Sequence, residues 1–421
     1  MTIEFTTLGV LIGMALAIFL IIKQVTPAYS LILGALVGGV IGSGDLALTV
    51  TTMISGSQSM IPSVLRIMTS GILAGCLIKT GAAEKIAEVI VTKMGQTKAI
   101  MAVALATMLI CSVGVFIDIS VITVAPIALA IGKKAGYNKP SLLLAMIGGG
   151  KAGNIISPNP NTIAVSEGFK LDLTALIIRN MIPAIVALLI TILLATILTK
   201  KQGTLVDEKD LEKGDQKNLP SFLQAILGPL TVVMLLSLRP IFSVVIDPLI
   251  ALPTGGIICT LVCGQLKQLK SFAEFGLGKV IGVCILLIGT GTIAGVIKAS
   301  SLQADVIHLL AMTNMPAFIL APISGILMGA ATASTTAGAT IAAQTFSVPL
   351  LDAGIPAVSA GAMIHAGATV LDSLPHGSFF HATGGATNMT IKERMQLIPY
   401  EALVGLTSTL VATVLYMLFT H

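Results

Sequence analysis

The chain has 421 residues, of which 55% are hydrophobic and only 10% charged, and its mean hydropathy is +0.99. Soluble domains carry about one-quarter charged residues, so this composition excludes one and predicts an all-α polytopic membrane protein. The net charge of +5 carries no nucleic-acid reading, because Lys and Arg in a membrane chain chiefly mark loops that face the cytoplasm.

Apolar runs close to the about 20 residues that cross a bilayer core open the chain at Phe5–Ile22 and Val25–Gly44. No basic region or small-residue cleavage site accompanies the first run, which is expected to stay as a span. Next comes a segment with lysine at both ends, 98–133, in which the apolar arms Ala99–Val113 and Val121–Ile131 flank "GVFIDIS". At 1.5 Å per residue the arms reach about 22 and 17 Å, short of a core of about 30 Å. A re-entrant hairpin with Asp118 at its tip is predicted.

The following span, 140–166, is interrupted by "GGGKAGNIISPNPNT", residues 148–162, a stretch of loop chemistry where hydropathy asks for a helix. Irregular backbone at membrane depth is tolerated only where protein buries it or a water-filled cavity receives it, so a broken helix lining a site is expected. Gly148–Gly150 read as points of close helix contact, since no Walker context accompanies them. Met181–Leu198 closes the N-terminal half, 1–198, and the charged segment 199–220 reads as an exposed cytoplasmic linker.

The C-terminal half, 221–421, supplies apolar runs at Phe222–Leu238, Pro248–Cys263 and Val280–Ile297, a second hairpin over 315–350 with "GAATASTTAG" at its tip, a second broken helix over 356–381, and a final helix over 398–420. Cysteines 76, 111, 259, 263 and 284 lie in apolar sequence without acidic or histidine companions and are read as packing; no metal site is expected. Three stretches recur in the same order at an offset of about 215–220 positions: "SGILAGCLIKTG" with "GTGTIAGVIKAS", "SVGVFIDISVITVAPIALA" with "LMGAATASTTAGATIAAQTF", and "GGGKAGNIISPNPNT" with "MIHAGATVLDSLPHGS". Seven lysines lie between Lys79 and Lys139, whereas 299–391 holds no Lys or Arg. Matching loops therefore face opposite sides, and the repeat is inverted.

Both hairpin tips and both breaks are expected to meet near the midplane, where half-helix N-termini face an anion. Asp118 and Asp372 are the carboxylates at these positions and the candidate coupling-ion residues. Lys151 is a candidate counter-charge for a substrate carboxylate, with an internal partnership with Asp118 or snorkelling to the interface as alternatives. His365, His376 and His381 cluster in the second break; His376 is the substrate candidate, and His365 or His376 could pair with Asp372. Neutral hydroxyl and amide groups suit a hydroxylated carboxylate, and Ser120, Asn154, Ser157, Asn159, Asn161, Thr162, Ser334, Thr335, Thr336, Ser373 and Ser378 qualify by position.

The stretches "GVFIDISVITVAPIALAI", "GNIISPNPNTIAV", "GAATASTTAGATIAA" and "TNMTIKERMQLIPYEALVGL" resemble the gluconate permease family of proton-coupled organic-anion symporters, within the larger ion transporter superfamily. The resemblance spans nearly the whole chain and implies a scaffold domain plus a mobile transport domain that moves as an elevator. It departs at the pocket, where Asp118 stands in place of a glutamate and where Lys151, Asn154, Ser157, Asn159 and Asn161 replace a break rich in histidine and proline. The expected function is proton symport of a small organic anion such as gluconate or another hydroxy or sugar acid; a sodium-coupled carboxylate carrier or a sodium/proton antiporter is the alternative. A channel and an intramembrane hydrolase fit less well, and no enzyme activity is expected. Partners are then the anion, the bilayer of the cell (inner) membrane and a second copy joined through the scaffold; no nucleic acid and no cofactor beyond H+ or Na+ is called for.

Overall fold

The computed structural model describes residues 5–419 other than 24, 96–97, 202, 212–218, 243, 245, 303, 306–311, 313–315 and 376, and only the backbone of 239–242. The described residues form helices, and their only strand-like pairings are two isolated bridges, Phe5 with Ser300 and Asn138 with Leu205. The first half contains α1 (Thr7–Ile22), α2 (Pro27–Ser43), α3 (Leu46–Gln58), α4 (Ile61–Lys79), α5 (Ala82–Met94), α6 (Ala99–Ser112), α7 (Ile117–Ala135), α8 (Lys139–Asn154), α9 (Pro160–Gly168), α10 (Leu173–Arg179) and α11 (Met181–Thr199). The second contains α12 (Phe222–Phe242), α13 (Pro248–Val262), α14 (Leu269–Lys298), α15 (Leu320–Thr332), α16 (Thr335–Asp352), α17 (Ala357–Ala368), α18 (Ser378–Ala386), α19 (Ile391–Met395) and α20 (Ile398–Phe419).

Four stretches, Ile61–Lys79, Met181–Thr199, Leu266–Lys298 and Ile391–Phe419, are long and apolar enough to cross a membrane. On α11, Ala184, Ala187, Thr191 and Ala195 are buried, while Ile182, Ile185, Leu189 and Leu193 point outward. A helix that is apolar on both its buried and its outer face needs lipid outside it. The protein is thus a multi-pass membrane protein.

The helices pack in two groups. In one, α1 lies on α2, the helices α2, α3 and α4 all lie against α14, and α13 bridges α4 to α12. In the other, α8 is held between α6 and α11, α15 packs on α16 and α17, α20 joins α11 to α17, and α9 lies on α16. The groups meet where α14 touches α16, α1 touches α15 and α4 touches α9. Small residues set the close approaches, as expected where lipid supplies no hydrophobic drive between helices. A Cβ on Gly276 of α14 would stand 1.9 Å from the carbonyl oxygen of Gly71 on α4.

Most described linker residues are exposed, but the segment is anchored. Residues 203–211 dock on the second group: the Lys139 amide donates to the Thr204 carbonyl at 2.8 Å, Lys139 Nζ contacts Asp210 Oδ1 at 2.7 Å, and Val206 and Asp210 are buried. Exposed Glu208 is paired with Lys133, whose hydrogen bond and charge hold its carboxyl below the usual range. Charge alone made this segment look solvated; its ion pairs are long-range.

Gly276→Ala should lower stability by about 1–3 kcal/mol through helix overpacking. Gly278→Ala, on the same helix with nothing within 4 Å of its Cβ, should be neutral or slightly stabilising. Apparent Tm values of the two purified variants in detergent check this, and equal values would refute the packing account.

Candidate functional site

The first break begins where α8, buried from Ser141 onward, ends at Asn154. Its three glycines are points of contact, as the sequence predicted: a Cβ on Gly148, Gly149 or Gly150 would meet Thr191 Oγ1 at 2.2 Å, the Ala104 carbonyl at 2.1 Å or Ile117 Cγ1 at 2.6 Å. Asn159 then caps α9, its Oδ1 accepting from the amides of Asn161 and Thr162 at 3.0 and 3.1 Å and from the Thr162 hydroxyl at 3.2 Å. Its Nδ2 turns back to donate to Asn154 Oδ1 at 2.6 Å and the Asn154 carbonyl at 3.0 Å, and Asn161 Nδ2 donates to the same Oδ1 at 2.8 Å. The asparagines thus satisfy one another and the freed backbone. Asn154 Nδ2 and Ser157 Oγ are buried without a hydrogen-bond partner among the described residues.

The first hairpin turns at 113–116, and its return helix starts earlier than expected, at Ile117. Asp118 therefore sits in the first turn of α7 rather than in the loop, and Ser120 donates to the Phe116 carbonyl at 2.9 Å. In the second hairpin Ala333 takes a left-handed conformation, φ 44°, so that Ser334 can cap α16 by accepting from the Ala337 amide at 3.3 Å. Thr336 of this tip donates to Asn161 Oδ1, which ties the second hairpin to the first break.

The second break lies between α17 and α18 and holds Asp372. This carboxylate contacts Lys151 Nζ at 2.7 Å and accepts from the hydroxyls of Thr335 at 2.5 Å and Ser373 at 2.9 Å. Lys151 also donates to the carbonyls of Thr369 at 2.6 Å and Glu401 at 3.3 Å. An ammonium has three protons, and these acceptors use all of them. The pair is 2–3% exposed; removing one partner of such a buried pair costs about 3–5 kcal/mol. Lys151 is therefore partnered by Asp372 and not by Asp118, and Asp372 by Lys151 rather than His365. His365 is fully buried, with neither ring nitrogen paired among the described residues. Behind Lys151 lies a second buried pair, Arg394 with Glu401, whose guanidinium stacks 4.8 Å from the Phe380 ring centre.

These elements close around a cavity of about 650 Å³. From the hairpins and breaks, the starts of four helices reach its wall: Ile117–Ile119 of α7, Asn161 of α9, Thr335–Ala337 of α16, and Ser378 and Phe379 of α18. Residues 26–29 at the start of α2 and one face of α14 complete it. Of the residues expected at the site, Asp118, Asn161, Ser334, Thr335, Thr336, Asp372 and Ser378 line the cavity. Ser120, Lys151, Asn154, Ser157, Asn159, Thr162 and Ser373 lie behind its wall, and His376 lies outside the described residues.

Sequence reading missed Lys279, the one Lys or Arg on the wall among the described residues. Its signal was a lone lysine just ahead of the apolar run Val280–Ile297, where it passed for a span boundary. It also missed Arg66 of α4, which donates to Asp247 at 3.1 Å through Nε and 2.7 Å through Nη2, and to Glu167 of α9 through Nη1. That cluster joins the two helix groups beside a small cavity of about 80 Å³.

Residues 5–419 match the GntP family permease. A transporter of Haemophilus influenzae is 51% identical over 414 residues, covering 98% of this chain and 99% of that one. The D-serine transporter DsdX and the high-affinity gluconate transporter of Escherichia coli K12 are 22% and 24% identical, with 81–82% of each chain covered. Among solved structures, the YdaH transporter of Alcanivorax borkumensis shares the fold, with a TM-score of 0.66 at 14% identity over 88% of this chain and 89% of that one. These relatives are transporters, not enzymes, and the chain belongs to the GntP permease family.

Proposed function

We propose that the protein is a secondary active carrier that brings a small organic anion, gluconate or another hydroxy or sugar acid, across the inner membrane together with a proton. The convergence of four helix starts on one cavity carries this reading. Each helix N-terminus brings about half a positive charge, although Asn159 and Ser334 already take amides of α9 and α16, so the site favours a carboxylate. The hydroxyls of Ser334, Thr335, Thr336 and Ser378 on the same wall suit a hydroxylated ligand. The likeness to gluconate and D-serine transporters supports a ligand that carries a carboxylate.

Helix order supports an inverted repeat and an elevator motion. The series α6–α11 has a counterpart, element for element, in α15–α20, each with a hairpin, a broken helix, a short helix and a long one. In this reading α1–α4 and α12–α14 are the scaffold, through which two copies associate, and the hairpin–break group is the transport unit. Glycine contacts stiffen the scaffold internally, whereas the groups touch along fewer helices. A cysteine placed at Lys134 should be labelled only from the cytoplasm and one at Asp352 only from outside. Labelling of both from one face would overturn the inverted arrangement.

Asp118 is the proposed proton carrier, because it is the carboxylate on the cavity wall without a lysine in ion-pair contact among the described residues. Protonation as the anion enters would leave less charge to move across. Asp118→Asn should keep substrate exchange in proteoliposomes but lose accumulation driven by a proton gradient. Accumulation at wild-type level would move coupling elsewhere, and dependence on an imposed sodium gradient instead would favour the sodium-coupled alternative.

A further inference from the structure

We infer that Lys279 is a specificity-determining residue of the carrier, a scaffold-borne cation that engages the carboxylate of the transported acid; the assignment rests on the carrier reading above. Lys279, Gly282, Val283 and Leu286 of α14 all line the cavity. Their spacing of three, four and seven residues is that of a single helical face, so the lysine stem leaves α14 on the side that faces the site. Gly282 has nothing within 4 Å of its Cβ position, which leaves room one turn above the lysine.

The charges on the wall make this position count. The Lys151 ammonium is consumed by Asp372 and two carbonyls, so it offers a ligand no proton. Lys279 has no carboxylate within ion-pair distance among the described residues; its ammonium rests 5.3 Å from the Phe275 ring centre. Lys79 of α4 lies over the same ring at 4.3 Å, so two cations flank Phe275. A monocarboxylate entering between α14 and the hairpin tips therefore meets an available ammonium opposite the helix N-termini. Because Lys279 belongs to α14 while Asp118 and Asp372 belong to the hairpin–break group, the contact is made only while the two groups stand as they do here.

The test uses the full chain in proteoliposomes, with gluconate and glycerate as probes, comparing Lys279→Gln, Lys279→Arg and Lys270→Gln. Lys270 lies on the same helix, paired with Glu274 and off the cavity, and serves as the control. Lys279→Gln should raise KM about tenfold with the maximal rate kept, as for loss of one charge-assisted hydrogen bond. Lys279→Arg should stay within about twofold of wild type, since the cation is retained. Added salt should weaken wild-type uptake more than that of Lys279→Gln. An unchanged KM in Lys279→Gln, or restoration of its KM by adding Asp118→Asn, would overturn the direct role, the second outcome placing the effect on Asp118. Wild-type vesicles that take up neither acid would overturn the carrier reading and this assignment with it.

Discussion

The structure depends on the requirement that backbone freed by a broken helix find partners inside the protein, because lipid offers none. The first break meets it with side-chain amides: Asn159 caps the new helix and ties back to Asn154, and Asn161 joins both. The second meets it with a charge, since the Lys151 ammonium takes the Thr369 carbonyl while holding Asp372. Through Thr335 and Thr336 the second hairpin is bonded to both breaks. The two halves of the site are therefore one hydrogen-bonded body, and the cavity is the space its helix starts enclose.

That bonding redistributes charge. A lysine and an aspartate in the breaks look like two separate ligands for an anion and a coupling ion, but they are in contact with each other. Besides Asp372, the wall holds Asp118, Lys279, hydroxyls and helix starts. In the carrier proposed here, an anion is stabilised mainly by preorganised dipoles and by one flexible cation, so the site would hold it without a fixed buried positive charge that is costly to expose after release. The Arg394 and Glu401 pair behind Lys151 extends this neutralised interior to the first turn of α20.

Close glycine contacts hold each helix group internally. Within the first, α4 and α14 meet backbone to backbone through Gly71, Gly75 and Gly276, an arrangement that resists sliding. Between the groups the polar contacts include the Arg66 guanidinium shared by Asp247 and Glu167. Such a partly exposed contact can be exchanged for water at modest cost, unlike an interdigitated core. The linker residues around Asp210 fasten to Lys139 of α8.

Much of the architecture was legible in the chain. Hydropathy located α1, α2, α11, α12, α13 and α20, loop chemistry located both breaks, and the hairpin regions carried their own turns. The short helices α3 and α5 escaped because moderate polarity hid them, and the return arm of the first hairpin began earlier than its charge pattern implied. At the site, the positions were found but not their division of labour: Ser120, Asn154 and Asn159 looked equivalent to Asn161 and Thr336, yet only the latter two reach the cavity. The sequence by itself determined the membrane class, the family and the places where helices break, because these follow from composition and local backbone chemistry. Only the tertiary structure decided that Lys151 belongs to Asp372, that Asp118 stands on the wall and that Lys279 comes from the other helix group to face it, because pairing across more than 150 residues depends on where helices cross, which no local pattern records.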